Sequence, residues 1–164
     1  MCSYDPSWAA IIRRQDALMR FERPIENHDA LTLGLYAVEA AKALGYNLSI
    51  RVIANGCILF SHHMDGLGLE NEWWMDKKLN ACREVGISTL QLYCEVEGGE
   101  RERPAFLDNT SSYASDGGCV PMRTKDGRIF GYVIASGAPH RFDHECATRA
   151  IARFLGVEFP TILK

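Results

Sequence analysis

Residues 119–156 read CVPMRTKDGRIFGYVIASGAPHRFDHECATRAIARFLG, and a change of period inside this stretch decides the fold. Its first half is two apolar runs turning on Asp126-Gly127, which is the signature of a β-hairpin. Ser136, Gly137 and Pro139 then read as a tight exit from the second strand, and a helix is predicted to begin between Arg141 and Asp143. From there Cys146, Ala147, Ala150, Ile151, Phe154 and Leu155 recur at helical spacing and make one buried stripe. Arg149 and Arg153 lie on the watered side, and Gly156 ends the helix. The stripe accounts for the helix but not for its mouth, where His140, Asp143 and His144 cluster.

The same alternation of periods runs through the rest of the chain. PSWAAIIRRQDALMRF (6–21) predicts a first helix with Ser7 at its cap. NHDALTLGLYAVEAAKALG (27–45) predicts a second, capped around Asn27 to Asp29 and ended by Gly45, with Leu33, Ala37, Ala41 and Leu44 inward. NLSIRVIANGCILFSH (47–62) alternates Leu48, Ile50 and Val52 against Ser49 and Arg51, and Asn55-Gly56 predicts a second two-residue hairpin. NEWWMDKKLNACREVG (71–86) predicts a helix capped by Asn71. TLQLYCEV (89–96) fits either a strand or a helical continuation, and EGGERERPAF (97–106) a solvated loop. These elements predict one α+β domain, a central antiparallel sheet flanked by helices, in which both hairpins share the sheet. Residues 1–27 supply an N-terminal helix and lead-in, and residues 28–164 the body.

The 164 residues suffice to bury a core without staples, and 47 % hydrophobic with 24 % charged residues is ordinary globular composition. A formal net charge of -3, with no basic stripe carrying interleaved aromatics, argues against a nucleic-acid partner. The N-terminus lacks the basic-then-apolar order of a signal peptide and no apolar run reaches a membrane span of ~20 residues, so a cytoplasmic protein without a membrane partner is expected. Six cysteines without a CxxC pair are expected reduced, with Cys57, Cys82 and Cys146 as small hydrophobes in the core.

Three segments carry polar chemistry. In DGLGLENEWWMDKKLN (65–80) a glycine loop leads into a helix bearing Asn71, Trp74, Lys78 and Asn80. In YASDGGCVP (113–121) Gly117 and Gly118 let backbone amides approach a ligand, and Pro121 stiffens the strand that follows. The third segment is the mouth of the last helix, whose free N–H groups suit a carboxylate or phosphate, although Asp143 also fits a plain cap.

Taken in order, DALTLG, LFSHHMDG, ENEWWMDKKLN, YASDGGCVP, GYVIASGAP and FDHECATRAIARFLG resemble the UPF0303 branch of the haem-degrading-domain family, the GlcG/HbpS-like proteins. The likeness spans roughly residues 28 to 156, and co-linearity carries it. It implies a GlcG/HbpS-like domain with profilin-like layering, assembled as a homo-oligomer that binds a small molecule. Carried over residue by residue it marks Gly66, Asn71, Trp74, Lys78, Asn80, Gly117, Gly118, Pro121, Ser136, Gly137, Pro139, Asp143 and His144. The chain departs from the pattern at Gly66-Leu67-Gly68-Leu69-Glu70-Asn71, where relatives tend to read Gly-Thr-x-Pro-Asp-Asn. It departs again at Asp76, often basic, and at Cys119, often apolar.

The expected ligand site therefore lies between the Gly117-Gly118 loop, the Asn71–Asn80 helix and the start of the last helix, with Asn71, Trp74, Gly117, Gly118, Cys119, Ser136 and Gly137 as contacts. An alternative is an enzyme acting on a small carbonyl or carboxylate compound. In it His144 is the acid/base held by Asp143 or Glu145, Lys78 the electrostatic clamp, and the Gly117-Gly118 amides the oxyanion donors. A further alternative is haem binding or degradation, with His62, His63, His140 or His144 as axial ligand and no CxxCH attachment signal. Zinc would need His62, His140, Asp143 and His144 to converge, which nothing local enforces, so no metal is assigned. Adjacent Trp73 and Trp74 point about 100° apart on a helix, so if Trp74 takes the core, Trp73 is left for a subunit contact.

Overall fold

The computed structural model describes residues 4–164. Along the chain come α1 (Trp8–Leu18), β1 (Arg20–Phe21), α2 (Asn27–Leu44), β2 (Ser49–Ala54), β3 (Cys57–His63), α3 (Leu69–Val85), α4 (Thr89–Glu97), a 3-10 turn (Ala105–Asp108), β4 (Cys119–Thr124), β5 (Ile129–Ser136) and α5 (His140–Leu155). The strands form one sheet in the order β1-β4-β5-β2-β3. Both hairpins lie in it, and its centre is the antiparallel β2–β5 pair, in register from Ser49 opposite Ser136 to Ala54 opposite Gly131. The two-residue β1 adds a parallel edge beside β4, which makes the sheet mixed.

The two hairpins turn differently. Asn55 and Gly56 both adopt positive φ, 54° and 75°, as the two-residue turn between Ala54 and Cys57 requires. Asp126 does not; the Thr124 amide donates to Arg128 O across a three-residue loop with Gly127 at φ 88°. A turn with only one left-handed residue needs that extra position, so the expected two-residue turn at Asp126-Gly127 is corrected.

Alternation along the strands sends two sets of side chains to two covered faces. Ile50, Val52, Val120, Met122, Val133 and Ala135 pack against Leu33, Ala37 and Ala41 of α2 and Cys146, Ala147, Ala150 and Ile151 of α5. Ile53, Cys119 and Ile134 meet Met75, Leu79 and Cys82 of α3. Each fully buried aliphatic chain contributes about 1.5–3 kcal/mol, so these layers dominate the stability. A third cluster joins Trp8 and Ile12 of α1 to Leu90 and Cys94 of α4 and to Ile162 near the C-terminus.

Several local expectations are revised. TLQLYCEV is neither strand nor continuation but the separate helix α4, because Gly86 ends α3 in the left-handed conformation and Ser88 Oγ accepts from the Gln91 amide to start a new one. α3 begins at Leu69, so Asn71 sits inside its first turn, its Oδ1 3.5 Å from the Gly68 amide. Cys57 follows the tight turn on the edge strand and is exposed, whereas Cys82, Cys94, Cys119 and Cys146 are buried; all five are free.

Candidate functional site

α3 is held over the sheet by a polar network that the sequence pattern did not announce. Ser49 and Arg51 share the face of β2 that looks toward α3, and both are buried. Arg51 pairs with Glu72 and, at 2.6 Å, with Asp76, one helical turn apart. His63 bridges Ser49 Oγ (2.5 Å) and Glu72 Oε1 (2.6 Å). The acidic residue at position 76, unusual for the pattern the sequence resembles, is thus the counter-ion of a buried arginine.

This clamp aims Lys78 and Trp74 at the junction of β5 and α5. Lys78 Nζ donates to Asp143 Oδ2 at 2.8 Å and to Ala135 O at 3.1 Å, and its side chain is 2 % exposed. Asp143 Oδ1 accepts from the Ala138 amide at 2.9 Å. Burial raises the Asp143 carboxyl above the usual carboxylate range, against the opposing pull of Lys78 and the Ala138 and Gly137 amides. The pair also fixes Gly118, whose φ is 134° and whose missing Cβ would fall 2.3 Å from Ala135 O and 2.8 Å from Lys78 Nζ.

A cleft of about 430 Å³ opens above the pair, lined by Gly66, Leu67, Glu70, Asn71, Trp74, Lys78, Asp116, Ser136, Gly137, Ala138, Pro139, His140 and Asp143. Six of the ten residues expected as ligand contacts or catalytic groups therefore meet here, Asn71, Trp74, Lys78, Ser136, Gly137 and Asp143, beside the family-like positions Gly66 and Pro139. The departure at Leu67 adds an apolar wall beside Gly137. Trp74 forms one side, with Lys77 Nζ 5.1 Å from its ring centre, and also lines a smaller neighbouring hollow with Arg103 and Asp116.

Four expected residues lie elsewhere. Gly117 stands behind the cleft, its amide donating to His140 Nδ1 at 3.3 Å, so it is no free oxyanion donor. Gly118 is packed beneath Lys78 and Asp143. Cys119 faces the α3 core, with its amide on Thr89 Oγ1 at 3.1 Å. His144 does not look toward the Gly117-Gly118 loop: one residue past Asp143 on the helix, it turns to α1 and meets Gln15 Oε1 at 2.9 Å. It is 1 % exposed, and burial lowers its pKa to about 3.

The histidine at the cleft is instead His140, the first residue of α5, with Trp8 and Tyr93 edge-on to its ring. Burial lowers its pKa, with Asp116 opposing, so the imidazole is neutral; Nδ1 accepts from Gly117, which places the proton on Nε2. That Nε2 is buried without a hydrogen-bond partner among the described residues. Leu67, Glu70, Asp116 and Ala138 line the cleft without a contact role in the sequence reading, which named His140 only as a candidate haem or zinc ligand. The signal for His140 was its place beside Asp143 and His144 at the mouth of the last helix.

Comparison with known proteins places this geometry in a family. The family model described as haem degrading protein HbpS-like matches residues 25–152. The chain belongs to that family. It is 31 % identical over 157 residues to a UPF0303 protein of Acidobacterium capsulatum, covering 93 % of this chain and 92 % of the relative. A UPF0303 protein of Brucella melitensis is 31 % identical over 147 residues, covering 89 % and 86 %. Among solved structures, the HbpS-like fold of this chain superposes on Ybr137w with a TM-score of 0.75 at 21 % identity, covering 97 % of this chain and 100 % of that one. HbpS itself gives 0.63 at 23 % identity, with 83 % and 93 % covered. A PduOC:heme complex gives 0.66 at 21 % identity, with 85 % and 99 % covered. No helix among the described residues is long and apolar enough to cross a membrane.

Proposed function

We propose that this HbpS-like protein binds a small molecule in the cleft between α3 and the β5–α5 junction. The observation that carries the reading is the buried Lys78–Asp143 pair at the cleft floor, which leaves one of the three ammonium protons without a partner among the described residues. A buried, pre-positioned donor in a concave site is what fixes the orientation of a small ligand. Binding is favoured over turnover because the histidine expected to act as acid/base, His144, turns its side chain from α5 toward Gln15 of α1 and not into the cleft. A fragment screen on protein labelled with 5-fluorotryptophan tests the site. Hits should shift the Trp74 fluorine resonance, assigned with Trp74→Phe, and lose affinity in Lys78→Met. Hits that move only Trp8 or Trp73 would contradict it.

Haem is the second reading, favoured by the family description and by the neighbour whose name includes it. The cleft does not fit haem held by histidine. His140 would have to offer a lone pair from Nε2, which would move its proton to Nδ1 and set it against the Gly117 amide proton. Both nitrogens of His63 are engaged, and His62 lies on the edge strand outside the cleft. A haemin titration separates the readings: a saturable Soret shift lost in His140→Ala or His62→Ala favours haem ligation.

We also infer a homo-oligomer whose contact uses the outer face of α3. Leu69 and Trp73, one turn apart, are 66 % and 56 % exposed, and Trp73 borders a hollow with Asp76, Lys77 and Asn80 beside the cleft. Tryptophan is a favoured anchor at subunit contacts, and Leu69 adds apolar area beside it. Light scattering decides the assembly, and Trp73→Glu should weaken it; a monomeric wild type would refute it.

A further inference from the structure

The charges around the cleft narrow the class of ligand, an inference that rests on the cleft being the ligand site. At its floor the Lys78 ammonium is already neutralised by Asp143, at 2.8 Å and almost out of solvent. At its rim stand Glu70 and Asp116, both exposed, and neither has an ion-pair partner among the described residues. His140 is neutral, and among the described residues no other cationic side chain lines the cleft. Lys77, next to Lys78 on α3, sits against the Trp74 ring, and Arg103, which shares the neighbouring hollow with Trp74 and Asp116, pairs with Asp108 at 3.6 Å. The lining is therefore net negative, with its one cation spoken for.

An anionic guest would cross a rim of like charge and find no uncompensated cation at the floor. A cationic guest gains at the rim, and an oxygen on the same guest meets the remaining Lys78 N–H. The flat Trp74 side chain at the wall suits an aromatic or planar body between the two ends. We propose that the cleft takes a small monocationic amine that also carries a carbonyl or hydroxyl oxygen, with the ammonium between Glu70 and Asp116 and the oxygen on Lys78. Both ends of this guest meet groups whose hydrogen-bonding or charge capacity the protein leaves unused. A porphyrin with two propionates is the opposite kind of molecule.

The test uses one scaffold in three charge states: 4-(aminomethyl)benzamide, 4-(hydroxymethyl)benzamide and 4-carbamoylbenzoate. Each is titrated at pH 7 and low salt into the full chain labelled with 5-fluorotryptophan. The cation is expected to bind with Trp74 shifts about tenfold more tightly than the anion, with the neutral compound between, and added salt should narrow the gap. The Glu70→Gln/Asp116→Asn variant changes exposed side chains only, so its melting temperature should hold while the preference for the cation collapses. Equal or tighter binding of the anion at Trp74 overturns the charge inference and leaves the cleft as the binding site. Silence of all three at Trp74, when other fragments shift it, also overturns the inference. Silence of every fragment there overturns the cleft reading itself.

Discussion

Lys78 and Asp143 come from helices 65 residues apart in sequence and meet at 2.8 Å, with 2 % and 3 % of their side chains exposed. Removing one partner from such a pair strands the other in low dielectric, at a cost of about 3–5 kcal/mol. Lys78→Met should therefore lower stability by about that amount in urea denaturation, and Lys78→Met/Asp143→Leu should recover most of it. Equal stability of the single variant and the wild type would show that Asp143 is satisfied by the Ala138 and Gly137 amides alone.

Gly118 is the backbone counterpart of that pair. Its φ of 134° is one that side-chain-bearing residues rarely adopt, and the obstruction at 2.3 Å is the Ala135 carbonyl, which cannot rotate away. Gly118→Ala is expected to cost at least about 2 kcal/mol by thermal or urea unfolding. Gly127→Ala, in an open turn, should cost less, since nothing lies within 4 Å of its missing Cβ.

His144 predicts an acid limb of stability. Its fold-held pKa of about 3 lies below the ordinary 6.5, so between these values the unfolded chain takes a proton that the fold refuses. Stability is thus complete above pH 6.5 and declines as pH falls toward 3, by about 1.4 kcal/mol per unit at most for this one group. His140, lowered by burial as well, acts in the same direction. His144→Gln keeps a donor toward Gln15 and should flatten the decline between pH 6 and 4 in urea midpoints. An unchanged slope would show that His144 is protonated in the folded state.

The layers of the fold were legible because they rest on apolar periods: the two glycine-turn hairpins lie in one sheet, and the Leu33, Ala37, Ala41 stripe of α2 and the stripe of α5 cover it. The buried polar residues were not. Ser49 and Arg51 read as the solvent side of an alternating strand, yet β2 is central and covered on both faces, so that side is buried too. The same holds for α5, where Asp143, His144, Glu145 and Thr148 are buried beyond the apolar stripe. Which of two adjacent polar residues faces the cleft depends on a 100° rotation about an axis placed by tertiary packing, and so Asp143 was found while His144 was assigned in place of His140.

Cysteine exposure gives a prediction that separates the edge strand from the core. Burial pushes the Cys94 and Cys146 thiols up to about 12, and Cys119 is raised as well. Cys57 is exposed. In native protein, iodoacetamide followed by peptide mapping should label Cys57 well ahead of Cys82, Cys94, Cys119 and Cys146. Comparable labelling at Cys119 would mean that the α3 layer opens readily. Cys2 lies outside the described residues.

The central claim, that the cleft over Lys78 and Asp143 is where this HbpS-like chain holds its small molecule, is tested most directly by crystals soaked with a fragment library. Electron density is expected within hydrogen-bond distance of Lys78 Nζ and against Trp74, with Gly137 and His140 lining the same molecule. Fragments that settle only beside Trp73 or along the β3 edge, leaving the Lys78 cleft to water, would contradict it.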